Sequence, residues 1–252
     1  MMRLVFKLWI LVAFTVAGAA VSAAEADPWT LTYADGRVML RAGNSPRIEF
    51  PKTGRAIVPG EVLITGDQAR LELRAGKAGL WRLGRRAVLA AGDEGWRLMA
   101  GTALVRVPDA EGWRIESARG AARLGKGMWM VQAVDNEGLK IVCLNGPAWV
   151  EAAGDEAAPV RIKLRPGELV FLPPGGREFG PIVTIYLEEL LLTSRLVNAF
   201  PEPLAESRRL LNLAVIQREQ LKGVTGALVA GAHADDGFEV SVPKPRAAAP
   251  KK

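Results

Sequence analysis

The chain has 252 residues, a formal charge of +6, one Cys and one His. The lone Cys143 and lone His233 exclude an internal disulfide and cannot supply the three or four N/S ligands of a usual zinc site. The positive charge points to no nucleic-acid surface. Arg3, Lys7, Lys244, Arg246, Lys251 and Lys252 sit at the two ends, and the body between them is close to neutral.

Residues 1–26 read as a signal peptide. Arg3 and Lys7 give a positive start, an uncharged apolar run covers 8–21, and two small-residue sites follow, Val21-Ser22-Ala23 and Ala24-Glu25-Ala26. An uncleaved anchor is the alternative. The run falls short of the ~20 residues a membrane span needs, so the expectation is cleavage and an exported chain, periplasmic or extracellular, with no transmembrane anchor left.

Residues 27–179 then show short alternating segments. Strands are predicted at 31–33, 38–41, 47–50, 61–65, 69–74, 80–83, 87–90, 96–99, 103–107, 113–117, 128–134, 139–144, 148–151, 160–165 and 168–172. Val62 and Ile64 alternate with Leu63 and Thr65, and Ala69, Leu71 and Leu73 alternate with Arg70, Glu72 and Arg74, the mark of a half-buried strand. Turn pairs such as Pro59-Gly60, Gly66-Asp67, Glu111-Gly112 and Pro166-Gly167 separate the segments. The fold class is mainly β, a β-solenoid or β-sandwich-like body of many short strands. The phase of Trp81, Trp96, Trp113 and Trp149 assigns these rings to the core rather than to a stacking platform. Cys143 reads as a small buried hydrophobe.

From Gly180 the period changes. Val183, Leu187, Leu190, Leu191, Ser194 and Val197 lie at helical spacing; Pro201 and Pro203 break the run, and a second stripe begins at Leu204. A C-terminal amphipathic helical hairpin is predicted over 180–223. It either caps a strand edge of the β body or docks a partner or membrane surface, with Leu187, Leu190 and Leu211 as the docking stripe. Residues 224–252 form a basic Pro/Ala tail, expected to be disordered.

The ordered set of turns and strands resembles the FecR domain. The run from Pro59 to Leu73, PGEVLITGDQARLEL, is similar to the opening of that domain. The strand around Gly101, the segment LKIVCLNGPAWV from Leu139 to Val150, and Leu164-Arg165-Pro166-Gly167-Glu168 resemble later elements in the same order, together covering roughly half of the chain. Gly60, Gly66, Asp67, Gly101, Gly146, Gly167 and Glu168 are the positions that carry the family pattern, as structural turns. Where the family has Gly-Thr-x-Phe, this chain has Gly125-Lys126-Gly127-Met128-Trp129, so only Gly125 carries over. The resemblance implies an exported all-β module that binds or relays rather than catalyses. In iron-uptake regulators of this family the domain passes a signal toward a sigma factor. With only a signal segment read ahead of Asp27, that role is kept as an alternative.

The functional expectation is a non-catalytic binding or structural module of the bacterial envelope, with a protein or polysaccharide partner, no nucleic acid and no cofactor. No Gly-x-Ser-x-Gly elbow is present, and the Gly-rich runs lack the Lys-Ser/Thr of a phosphate loop. A carbohydrate-active enzyme using two carboxylates is the second alternative, with Asp67, Asp93, Glu116 and Asp135 as its candidates. Each lies at a turn or on the polar phase of a strand, where a solvated surface role is the simpler reading.

Overall fold

The computed structural model describes residues 28–241, apart from 44, 77–78, 94, 135–137, 154–158, 225 and 233–237. The signal segment, Asp135, His233 and the end of the tail therefore lie outside the described residues.

Short strands follow one another from the start. They are β1 (Trp29–Asp35), β2 (Val38–Ala42), β3 (Ile48–Glu49), β4 (Ala56–Ile57), β5 (Glu61–Thr65), β6 (Arg70–Ala75), β7 (Gly79–Leu83) and β8 (Val88–Ala91). A long β9 (Trp96–Val107) precedes β10 (Trp113–Glu116), β11 (Ala121–Leu124), β12 (Gly127–Val134) and β13 (Gly138–Asn145). The body closes with β14 (Ala148–Ala152), β15 (Arg161–Leu164), β16 (Glu168–Leu172) and β17 (Val183–Thr184).

Pairing sorts the strands into two sheets that share β9. One runs β4-β1-β6-β7-β9-β12-β13-β16-β17. The other runs β3-β2-β5-β8-β9-β10-β11-β14-β15. Between these strands, among the described residues, every pairing but β9–β10 is antiparallel. The residues predicted as two strands, 96–99 and 103–107, are thus one strand that bends at Gly101 and passes from the second sheet to the first. Gly101 has φ +81°, and a methyl there would come within 2.6 Å of the Ala87 Cα, so only glycine fits the bend.

A single apolar core fills the space between the sheets. Leu31, Leu73, Trp81, Val105, Trp129 and Ile141 come from one side and Leu40, Leu63, Leu89, Leu98, Ile115 and Val150 from the other. Trp81, Trp96 and Trp113 follow the expected core phase, with Trp113 partly buried. Trp149 does not. It lies half-buried beside the buried Val150, on the opposite phase, and its ring stacks under the Arg161 guanidinium at 4.1 Å. Cys143 is buried as expected, and burial pushes its thiol up to about 12.

The helices cover a sheet face rather than capping an edge. Helix α1 (Leu187–Thr193), α2 (Arg195–Asn198) and α3 (Ser207–Gln220) pack Leu187, Leu190, Leu196, Leu210 and Ala214 against a second apolar cluster. Leu80, Leu104, Met130, Val142 and Leu144 supply the sheet side of that cluster, on the outer phase of the first sheet. The first predicted helix is shorter than its periodicity implies. Val183 pairs with Leu169 as a strand, and at Ser194 the backbone is extended. Asn198 donates its amide N–H to the Leu191 carbonyl at 2.7 Å, closing the end of α1 there. Within the segment expected to be disordered, β18 (Val229–Ala232) and β19 (Phe238–Ser241) form a hairpin, with Ala230 buried in the helical cluster. Leu228 and Val240 pack against the same cluster from beside it.

Candidate functional site

The helical layer is held by charge as well as by apolar contact. Glu72 and Arg74 on β6 and Arg82 on β7 share the outer phase of the first sheet. Arg82 is 0% exposed. Its Nε donates to Glu72 Oε2 at 2.8 Å, and its Nη1 donates to the carbonyls of Leu196 and Val197 at 3.1 and 3.2 Å. Its Nη2 donates to the Glu202 carbonyl. The Phe200 ring lies 4.3 Å from the guanidinium carbon. Thr32 and Arg74 donate to the other Glu72 oxygen at 2.9 and 2.7 Å. Burial alone would raise the Glu72 carboxyl, but the donors from Arg74, Arg82 and Thr32 outweigh it and hold it below its ordinary value. For Arg82, burial is the larger effect and lowers its pKa despite the Glu72 partner. Nearby, Arg106 on β9 reaches Glu206, just before α3, at 3.0 Å.

Gln217 is a second clamp. Though polar, it is buried, and its Oε1 accepts from the Leu187 amide at 2.9 Å. Its Nε2 donates to the Ile185 carbonyl at 2.9 Å and lies against Gly167, where a methyl would come within 1.9 Å. Gly167, with φ +81°, is therefore a point where turn and helix touch. Sequence periodicity gave no sign of Gln217; its only trace is a polar residue one turn after the apolar Ala214.

The other turn residues fall where strands meet. Gly60 takes φ +85° ahead of β5, the Gly66 amide donates to the Arg37 carbonyl at 2.9 Å, and Glu168 Oε2 accepts from the Arg165 amide at 2.6 Å. Gly146 precedes a cis peptide to Pro147. Asp67 is exposed and paired with Arg86 at 2.6 Å; the hydrogen bond from Arg86 holds its carboxyl below the usual range.

The predicted docking stripe is split. Leu187 and Leu190 are buried against the sheet, because that face of α1 is the one the second apolar cluster needs. Leu211 is 52% exposed and Leu192 is 62% exposed. These two border a groove of about 310 Å³ between α1, α2 and α3, with Val197, Phe200 and Pro203 lining it. Val215 and Ile216 add exposed apolar surface on α3.

Of the carboxylates considered for catalysis, Asp93 and Glu116 line one hollow of about 360 Å³ with Arg97 and Arg114. Glu116 accepts from Arg97 at 2.6 Å and from Arg114 at 2.9 Å, and these hydrogen bonds hold its carboxyl below the usual range. A general acid needs the opposite shift. Asp67 lies outside that hollow. Among the described residues no group of three or more His, Cys, Asp and Glu side chains could hold a metal ion. No described helix is long and apolar enough to cross a membrane.

No family model matches the sequence, and no curated protein matches it. Among solved structures, two crystal structures of a "putative anti-sigma factor" from Parabacteroides distasonis ATCC 8503 are similar. One aligns with a TM-score of 0.39 at 12% identity, covering 49% of this chain and 59% of that chain. The other has a TM-score of 0.39 at 10% identity, covering 73% of this chain and 99% of that chain. In the first alignment the match therefore spans less than two thirds of that chain's length. At these scores and identities the likeness carries no functional argument.

Proposed function

We propose that the chain is an exported, FecR-like binding module of the bacterial envelope, acting without catalysis and without a cofactor. Its working part is the helical layer, and its partner is a protein that lays an apolar helical segment into the groove between α1, α2 and α3. The observation that carries this reading is the division of labour on the helices. Leu187 and Leu190 fix the layer to the sheet, while Leu192 and Leu211 remain at the rim of an apolar groove. Helix-in-groove recognition needs this pairing of a rigid floor and exposed anchors. The Arg82 and Gln217 clamps support the rigidity.

Photo-crosslinking from Leu192 and Leu211 in the native host tests it. One envelope protein is expected from both positions, lost from the Leu192 position when Leu211→Glu is added and absent from a control at Met99, which is exposed on the second sheet. Equal yields from Met99, or polysaccharide recovered in place of protein, would exclude the groove. Export is tested separately by fractionation and N-terminal sequencing: a mature start after residue 23 or 26 supports it, and an intact residue 1 opposes it.

A further inference from the structure

A second cleft, distinct from the apolar groove, opens where the end of β9, the start of β12, the β13–β14 turn and the start of α3 meet. Its volume is about 540 Å³, within the ~300–1,000 Å³ common for small-ligand sites. Arg106, Lys126 and Arg209 face it against one carboxylate, Glu206, so its field is positive. Arg106 is engaged with Glu206, but Lys126 and Arg209 have no side-chain partner among the described residues. Two acceptors are buried without a donor: Glu206 Oε2 and Asn145 Oδ1. Leaving such atoms unmatched costs about 1–3 kcal/mol each, so each is free to take a donor that a small side-chain rotation brings into reach. The remaining walls are aliphatic, with Met128 and Pro147 among them, and no aromatic ring lines the cleft.

We infer that this cleft binds an acidic peptide segment. Backbone N–H groups of such a segment would donate to Asn145 Oδ1 and Glu206 Oε2 once those side chains rotate toward the cleft, and its carboxylate would sit between Lys126 and Arg209. A sugar acid would bring hydroxyl donors and a carboxylate too, but it would find no ring on which to stack. The site owes nothing to Leu192 or Leu211, so it stands independently of the apolar groove.

The test is an NMR titration of the full chain with acetyl-Asp-Gly-Asp-Gly-Asp-amide, with the Asn analogue and galacturonate as controls. Saturable binding of the acidic peptide is expected, with shifts at the amides of Lys126, Gly127 and Arg209. Lys126→Glu and Arg209→Glu, each at an exposed position, are expected to weaken it about tenfold with unchanged urea midpoints. Added salt is expected to weaken wild-type binding in parallel. Leu211→Glu is expected to leave it unchanged. Absence of saturable peptide binding, equal binding of the Asn analogue, indifference to both charge reversals, or binding of galacturonate alone would overturn the assignment.

Discussion

Replacing Arg82 by Met tests how the helical layer is attached. The substitution keeps most of the side-chain volume but removes every donor on the guanidinium. Glu72 would then be a buried carboxylate with one side stripped of its partner, and the carbonyls of Leu196, Val197 and Glu202 would lose their donor. Removing one member of a buried ion pair costs about 3–5 kcal/mol when the remaining charge is left uncompensated; Arg74 and Thr32 still donate to the other Glu72 oxygen, so a loss of about 2–3 kcal/mol is expected. The orphaned carbonyls fall within that range rather than adding fully to it, since the loosened 196–202 connection would admit water. Urea unfolding is expected to show this loss, with hydrogen exchange rising first at 195–203. The double variant Glu72→Leu, Arg82→Met removes both charges and is expected to recover a large part of the loss. Because Glu72 is held below its ordinary value of 4.5, the pair contributes stability above that value and loses it as the pH falls through the folded pKa. The Arg82→Met variant is therefore expected to show a shallower acid dependence than wild type. A loss under about 1 kcal/mol, or a double variant no better than the single one, would refute the reasoning.

Glycine positions are expected to separate by what surrounds them. Gly101→Ala sets a methyl against the Ala87 backbone as well as forcing a left-handed residue, and should cost about 2 kcal/mol or more in urea unfolding; Gly60→Ala, with open space around it, should cost about 1. Leu190→Ala empties a fully buried site and is expected to lose about 2–5 kcal/mol, whereas Leu211→Ala should stay within about 0.5 in the same measurement. The Cys143 thiol, buried and shifted to about 12, is expected to resist iodoacetamide at neutral pH in the native protein and to react once denaturant is added, as read by mass spectrometry.

The sheet exposed on one face was legible because solvent writes a polar residue at every second place. Trp113-Arg114-Ile115-Glu116 alternates for that reason, as does Trp96-Arg97-Leu98 up to the exposed Met99. In the other sheet Met128-Trp129-Met130-Val131 and Ile141-Val142-Cys143-Leu144 are apolar on both phases, since helices cover the outer side. That unbroken run was the available sign that the hairpin lies on a face and not on an edge. Strand β11 escaped notice because Ala121 and Ala122 bury little area and sit in a Gly-rich stretch. Helical spacing placed Leu187, Leu190 and Leu211 on helices, yet periodicity alone does not say which stripe meets the sheet. The Arg82 clamp was illegible for a related reason: its outward phase was readable, but its burial depends on chain 114 to 120 residues further on.

A strand common to both sheets makes the body one continuous mechanical frame. Tension on the helical layer enters through Arg82 and Arg106, and Arg106 lies on β9 itself. From there the force reaches the far sheet along one backbone, with no loop in between to yield first. A tug by a bound partner is thus shared across the frame, and rupture under pulling is expected as one event.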